Sequence, residues 1–259
     1  MKNPLSKESP RSDVNIYETP RLVAEYLLFH YGKDEDVLPW DFGPKTALRF
    51  AQRSVSELLD PCLVPADACV LDLGCAVGRS CYELARVASR VIGIDYSQAF
   101  VDYAEHIRTG VSVPYLRLNE TTDETMLNAV RPAEGSAERI EFEQGDAMHL
   151  RGDLGAFDIV HAANLLCRLT HPQLLIERLP ALVKPGGQLL LTTPCTWLED
   201  FTPCGNWPDV STREWLKIQL SEHFDLVAEK DLQFLIREHA RKYQWSVALG
   251  TRWIRKTAA

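Results

Sequence analysis

Two carboxylates, each at or near the end of a short apolar run, mark where this chain can hold a nucleoside. Val70-Leu71-Asp72-Leu73 leads into Gly74-Cys75-Ala76-Val77-Gly78-Arg79, and Val91-Ile92-Gly93-Ile94 ends at Asp95. Runs of this kind are buried parallel strands, and the small residues after the first let backbone amides approach a ligand. Asp95 stands 23 residues after Asp72, about the separation at which an acid accepts hydrogen bonds from both ribose hydroxyls. Two more strand ends carry fitting groups. In Gln144-Gly145-Asp146-Ala147, Asp146 can accept from an adenine amino group and the Ala147 amide can meet a ring nitrogen. Asn164 can face whatever lies beyond the ribose, and Tyr96 offers a ring to pack on the base. Ala76 is acceptable in the glycine-rich loop only at negative φ, because a Cβ is strained at positive φ.

The elements that must position these groups alternate between strand and helix. Helical signals begin at the Thr19-Pro20 cap, with Leu22, Val23, Tyr26, Leu27 and His30 on one face. A second helix is expected from Pro44, carrying Ala47, Leu48, Ala51, Val55, Leu58 and Leu59. Ser97 caps a helix to about Arg108, and an aperiodic insertion over 109–138 precedes the strand at Ile140-Glu141-Phe142. Phe157 to Ala163 reads as the fourth strand. A helix from Pro172 to Val183 leads to the turn Lys184-Pro185-Gly186-Gly187 and a fifth strand from Gln188 to Thr193. Glu214 to Glu222 is expected as helix, with Phe224 to Asp231 and Tyr243 to Ile254 as a closing antiparallel pair. The organisation is a polar terminus over 1–14, expected to be flexible, and one domain over 15–259 whose residues 15–65 form a helical lid.

The chain of 259 residues is 46% hydrophobic and 25% charged, enough to bury a full α/β core. Its 36 acidic against 28 basic residues give a net charge of −8, which disfavours nucleic acid and favours a small-molecule substrate. The first ten residues lack the apolar core of a signal peptide and no stretch approaches a membrane span, so a cytoplasmic location is expected. Seven cysteines without a Cys-x-x-Cys pair suggest neither a disulfide framework nor a metal site, but mostly buried, reduced thiols.

Asp72, two residues before the first glycine, would repel a pyrophosphate. Gly74-x-Ala76-x-Gly78 above it resembles the cofactor loop of class I S-adenosylmethionine-dependent methyltransferases, with alanine in the middle place. That resemblance implies a Rossmann-like α/β fold: a seven-stranded, mostly parallel sheet with helices on both faces. It implies S-adenosylmethionine as cofactor, Asp72 under its methionine end ordering a water or the ammonium group, and Gly74, Cys75, Ala76 and Gly78 around it.

A narrower resemblance covers nearly the whole chain after residue 14. Asn15-Ile16-Tyr17-Glu18-Thr19, Leu27-Leu28-Phe29-His30-Tyr31-Gly32, Leu38-Pro39-Trp40-Asp41-Phe42-Gly43-Pro44, Asn164-Leu165-Leu166-Cys167-Arg168-Leu169, Thr196-Trp197-Leu198-Glu199 and Phe234 to Trp245 are similar to the 4-mercaptohistidine (also numbered 5-mercaptohistidine) N1-methyltransferases of ovothiol biosynthesis. The resemblance implies methyl transfer to an imidazole nitrogen of 5-mercaptohistidine, giving ovothiol A. In that family the domain is usually fused to an iron-dependent sulfoxide synthase. No His-x-x-x-His-x-Glu iron-ligand set occurs here, so a separate synthase would supply the thiohistidine.

A zwitterionic acceptor calls for an arginine near its carboxylate and an acid near its amine. Arg168, Arg237 and Arg241 are the carboxylate candidates, and Glu238 the amine candidate. His30, His239 and Tyr243 are candidates for facing the ring, the last two as bases. Tyr17, Phe29, Tyr31, Trp40 and Trp245 are candidates for an aromatic enclosure of sulfonium and imidazole. A methyltransferase for another histidine-like or thiol metabolite, and a non-catalytic cofactor-binding protein, are the competing readings.

Overall fold

The computed structural model describes residues 16–257; the expected flexible terminus over 1–14 lies outside them. Seven strands form one sheet: β1 (Cys69–Leu73), β2 (Arg90–Asp95), β5 (Ile140–Gln144), β6 (Phe157–Ala163), β7 (Val183–Thr193), β8 (Phe224–His239) and β9 (Lys242–Arg255). Their order is β5-β2-β1-β6-β7-β9-β8, parallel from β5 to β7, with β9 antiparallel to both of its neighbours. The strand order switches between β1 and β6, which are parallel neighbours with the earlier strands on one side and the later ones on the other, and a crevice for ligands opens beyond the carboxyl ends of strands at such a switch point.

Alternate residues of the buried strands go to opposite faces. Leu71, Leu73, Val160, Ala162, Leu189 and Leu191 pack toward α6 (Pro172–Leu182) and α7 (Thr212–Leu220). Val70, Ile159 and Leu190 pack toward α3 (Phe50–Ser56) and α4 (Arg79–Leu84). Asp72 and His161 share that second face and are paired across β1 and β6.

Before the sheet, α1 (Pro20–Tyr31) begins at Thr19, whose side chain accepts the Leu22 N–H, and α5 (Gln98–Arg108) at Ser97, which accepts from Phe100. A short α2 (Asp34–Val37) follows α1. The second helix starts at Phe50 and not at Pro44, because Arg49 is left-handed at φ 56° and cannot continue an α-helix. Asp34 holds that conformation by gripping the Arg49 guanidinium at 2.8 and 2.9 Å.

The segment expected as an aperiodic insertion contains a hairpin, β3 (Val113–Glu120) and β4 (Asp123–Ala129). Val113, Tyr115 and Ala129 bury one face against the cluster that includes α1, while the other face, which carries Leu116 and Met126, is exposed. Lys184 to Gly187 is a bulge inside β7, where Phe157 pairs with Val183 and Ile159 already with Gln188. The closing pair is longer than expected, since β8 runs on to His239 and β9 begins at Lys242. Of the seven cysteines, all free, only Cys75, Cys81 and Cys167 are buried.

Candidate functional site

Two cavities meet at the carboxyl ends of β1, β2 and β6. The outer one, about 300 Å³, is lined by Asp95, Tyr96, Asp146, Ala147, Met148 and Thr170, and the inner one, about 160 Å³, by residues of α1, α3 and β8. Gly74, Asp95, Leu165 and Arg168 line both. The cavities therefore join at the β2 carboxylate.

Asp95 is held from beneath by the chain itself. Its Oδ2 accepts the Ala76 N–H at 2.8 Å and its Oδ1 the Ser97 N–H at 2.9 Å. Burial raises its pKa to about 6, the two backbone donors opposing the shift. Ala76 sits at φ 49°, against the expectation of negative φ. The left-handed turn costs an alanine about 1 kcal/mol, and the hydrogen bond to Asp95 offsets it. Asn164 is also left-handed, at φ 54°, with its backbone N–H on Thr192 O and its side-chain oxygen accepting from Thr192. Asp146 accepts the Met148 N–H at 2.8 Å and pairs with His149. Tyr96 is 62% exposed at the rim.

The inner cavity is walled by aromatic rings. Tyr17, Tyr26 and Phe100 form one corner, with ring centroids 4.7 to 6.0 Å apart, and Phe29, Phe50 and Phe234 another at 5.0 to 6.4 Å. Polar groups are few: His30, Ser54, Ser80, Asn164 and, at the junction, Asp95 and Arg168. Burial lowers the His30 pKa to about 3, so the imidazole is neutral, and its Nδ1 has no protein partner. Arg168 lies over the Phe201 ring at 4.5 Å and donates to Cys167 O.

Of the residues expected in the site, Tyr17, Phe29, His30, Gly74, Cys75, Ala76, Asp95, Asn164 and Arg168 line the inner cavity, and Tyr96, Asp146 and Ala147 the outer one. Others are placed elsewhere. Asp72 lines neither cavity; its carboxylate is 1% exposed and takes Ser80 Oγ at 2.6 Å, Cys81 Sγ at 3.2 Å and His161 Nδ1 at 2.7 Å. It is not available to order a water or an ammonium group. Gly78 packs under Phe142, where a Cβ would stand 2.5 Å from the ring, and is a packing position.

The β8–β9 candidates fall on the wrong face of the hairpin. Phe234 and Ile236 reach the cavity, so Leu235 and Arg237, one residue out of phase, point away with their cross-strand partners Trp245 and Tyr243. Arg237 is buried and donates to Asp36 O at 2.8 Å. Burial lowers its pKa. Trp40, Arg241 and Tyr243 line a separate outer groove with Phe42 and Trp245. Glu238 pairs with Lys242 at 2.6 Å, which lowers its pKa, and His239 accepts the Arg241 N–H at the hairpin turn. The structure thus gives His239 and Tyr243 no access to the cavity as bases. Ser54, Phe50, Phe234 and Ile236 were missed. Extending the period-2 alternation past Asp231 would have found the last two.

The family model of the methyltransferase domain matches residues 46–239. A ubiquinone biosynthesis O-methyltransferase of Xanthomonas axonopodis pv. citri is 30% identical over 157 residues, 60% of this chain and 55% of that one. One from Coxiella burnetii is 29% identical over 124 residues, 48% and 42% of the two chains. The chain thus spans about half the length of the curated relatives it matches. Among solved structures, a methyltransferase from Methanosarcina mazei superposes with TM-score 0.53 at 17% identity, covering 78% of this chain and all of the other. The cyclase SpnF superposes at 0.58 and 16%, covering 93% and 95%. At such identities these structures share the fold alone. With three quarters of its length inside the family model, the chain belongs to the class I S-adenosylmethionine-dependent methyltransferase family.

Proposed function

We propose that this chain transfers a methyl group from S-adenosylmethionine to an imidazole nitrogen of 5-mercaptohistidine, giving ovothiol A. The observation that carries the reading is the inner cavity: small, aromatic, closed by α1 and α3, and furnished with a neutral histidine and one arginine at its mouth. The segment resemblance supplies the acceptor's identity. The outer cavity suits a nucleoside, because a desolvated carboxylate at the junction gains from hydroxyl donors, and Arg168 is the one cation lining it among the described residues. Asp95 would accept from the ribose, with Tyr96, Asp146 and Ala147 around adenine and Gly74, Cys75, Ala76, Asn164 and Tyr17 along the methionine part.

S-Adenosylmethionine supplies an electrophilic methyl group on a sulfonium, which leaves as a thioether with the electron pair of the broken bond. The protein's share is to hold the acceptor lone pair in line and to exclude water. Arg168 would take the acceptor carboxylate, and His30 Nδ1 a polar atom of the ring. His30 stays neutral above about pH 3, so it hydrogen-bonds without competing for the methyl group's positive charge. The helices α1 and α3 act as the lid. A sulfoxide synthase would supply the substrate.

Mass spectrometry of turnover with 5-mercaptohistidine, histidine, ergothioneine and a catechol as parallel acceptors tests this. One added methyl on mercaptohistidine alone is the expected result. Methylation of the catechol alone would favour O-methyl transfer, the activity named for the curated relatives.

A further inference from the structure

Beneath the inner cavity lies a buried hydrogen-bonded chain that cofactor binding does not use. Ser54, on α3, lines the cavity with its side chain otherwise enclosed. Its Oγ is 3.2 Å from His161 Nε2, and His161 Nδ1 is 2.7 Å from Asp72 Oδ1. His161 and Asp72 are 0% and 1% exposed. The second Asp72 oxygen accepts from Ser80 Oγ, another residue at the cavity wall.

The donor and acceptor roles follow from the chemistry of the end group. An ionised carboxylate only accepts, so Nδ1 carries the imidazole proton and Nε2 is left as an acceptor. Ser54 Oγ also lies 3.3 Å from the Ala51 carbonyl oxygen, but among the described residues Nε2 has no other hydrogen-bond donor beside it, so the Ser54 hydroxyl satisfies this buried acceptor by pointing its proton at Nε2. A serine lined up by a histidine and an aspartate is the arrangement that lets a hydroxyl take a proton while passing on its own. The placement is not required by packing: the same face of the sheet is filled around it by Val70, Ile159 and Leu190, and three buried polar groups stabilise no better than apolar ones of like volume.

We infer that Ser54, His161 and Asp72 form a proton relay that takes the acceptor's proton during methyl transfer, Ser54 being the group that meets the acceptor and the other two acting through it. This rests on the proposed imidazole acceptor. As one ring nitrogen gains the methyl group, the proton on the other passes to Ser54 Oγ. The N–H electron pair stays in the ring, and the Ser54 hydroxyl proton passes to His161 Nε2. The imidazolium is held by Asp72 and, once product has left, passes the proton back through Ser54 to water entering the cavity. The charged and titratable groups around His161 are Asp72 from β1, Ser80, Cys81 and Arg79 from α4, the last within 3.0 Å of Glu83, Cys75 from the loop, His30 from α1 and Asp95 from β2. Asp72 is the group on the Nδ1 side.

The test compares wild type, Ser54→Ala, His161→Gln and His30→Gln by pH profile of turnover and by nitrogen-15 NMR of histidine side chains in protein loaded with S-adenosylhomocysteine, imidazole being the probe ligand. Near neutral pH, Ser54→Ala loses on the order of 10²-fold in kcat. The gap closes at alkaline pH, where hydroxide can take the proton that becomes acidic as the methyl group is transferred. S-Adenosylhomocysteine affinity of Ser54→Ala stays at the wild-type value, while its melting temperature falls by a few degrees because His161 Nε2 loses its donor. NMR finds His161 protonated at Nδ1 and bare at Nε2, with imidazole shifting Nε2 in wild type and not in Ser54→Ala. Parallel pH profiles, a proton on Nε2, or a pH-dependent loss confined to His30→Gln would overturn the relay. If wild type methylates none of the acceptors, the proposed function fails, while the NMR result still decides the relay.

Discussion

Replacing Asp95 by asparagine separates what the carboxylate does for the ligand from what it does for the fold. Its two oxygens accept the backbone N–H groups of Ala76 and Ser97, and an amide has one acceptor oxygen for the two donors. One N–H loses its partner, at about 1–3 kcal/mol. The charge also disappears. Burial lifts Asp95 from 3.8 to about 6, so the folded protein favours the protonated acid. This group's contribution is full below pH 3.8 and declines as pH rises to about 6, by roughly 3 kcal/mol. The asparagine is free of that loss, so at neutral pH the two effects nearly cancel and the melting temperature of cofactor-free protein moves little. The ligand has no such compensation. A ribose hydroxyl that donated to a carboxylate loses about 1.5–3 kcal/mol, roughly ten- to a hundredfold in affinity. Calorimetry with S-adenosylhomocysteine at neutral pH measures this beside a melting curve. A dissociation constant within twofold of wild type in a folded variant would refute Asp95 as the ribose acceptor.

The pH dependence of wild-type binding follows from the same group: affinity for S-adenosylhomocysteine declines as pH falls through about 6, and Asp95→Asn flattens the curve. Arg168→Ala should raise KM for a zwitterionic acceptor at least tenfold while leaving kcat and cofactor affinity near wild type, because a charged hydrogen bond to carboxylate is lost; steady-state kinetics that move kcat and not KM would count against it. Arg241→Ala and Trp40→Ala, in the outer groove, should leave acceptor KM within twofold, and a tenfold rise would place them at the reaction after all. Gly78→Ala puts a Cβ against Phe142 at φ 84°, so thermal denaturation should fall by several degrees through a loss of about 1–3 kcal/mol.

The succession of the main-sheet strands along the chain and the residues of the outer cavity were legible in the sequence because they rest on local patterns. Apolar runs, a glycine-rich turn and an acid at the end of β2 occupy consecutive positions, and a parallel strand buried on both faces permits little else. Asp95, Asp146, Ala147 and Asn164 follow directly from that phase. The inner cavity was legible only in part: Phe29, His30 and Arg168 were expected and line it, but Phe50 and Ser54 from α3 and Phe234 and Ile236 from β8 were not, because they lie far apart in the chain and the facing of the last two depends on the register of a hairpin. Phe234 and Ile236 turn inward while Arg237 turns out by one step of pleat, so the Arg-Glu-His-Ala-Arg-Lys segment that reads as substrate-binding chemistry lies outside. Asp72 shows the same limit from the other side. The sequence by itself determined that an acid precedes the loop; only the pairing of β1 with β6, and the seat of α4 over that face, decided that its carboxylate is taken up by His161, Ser80 and Cys81.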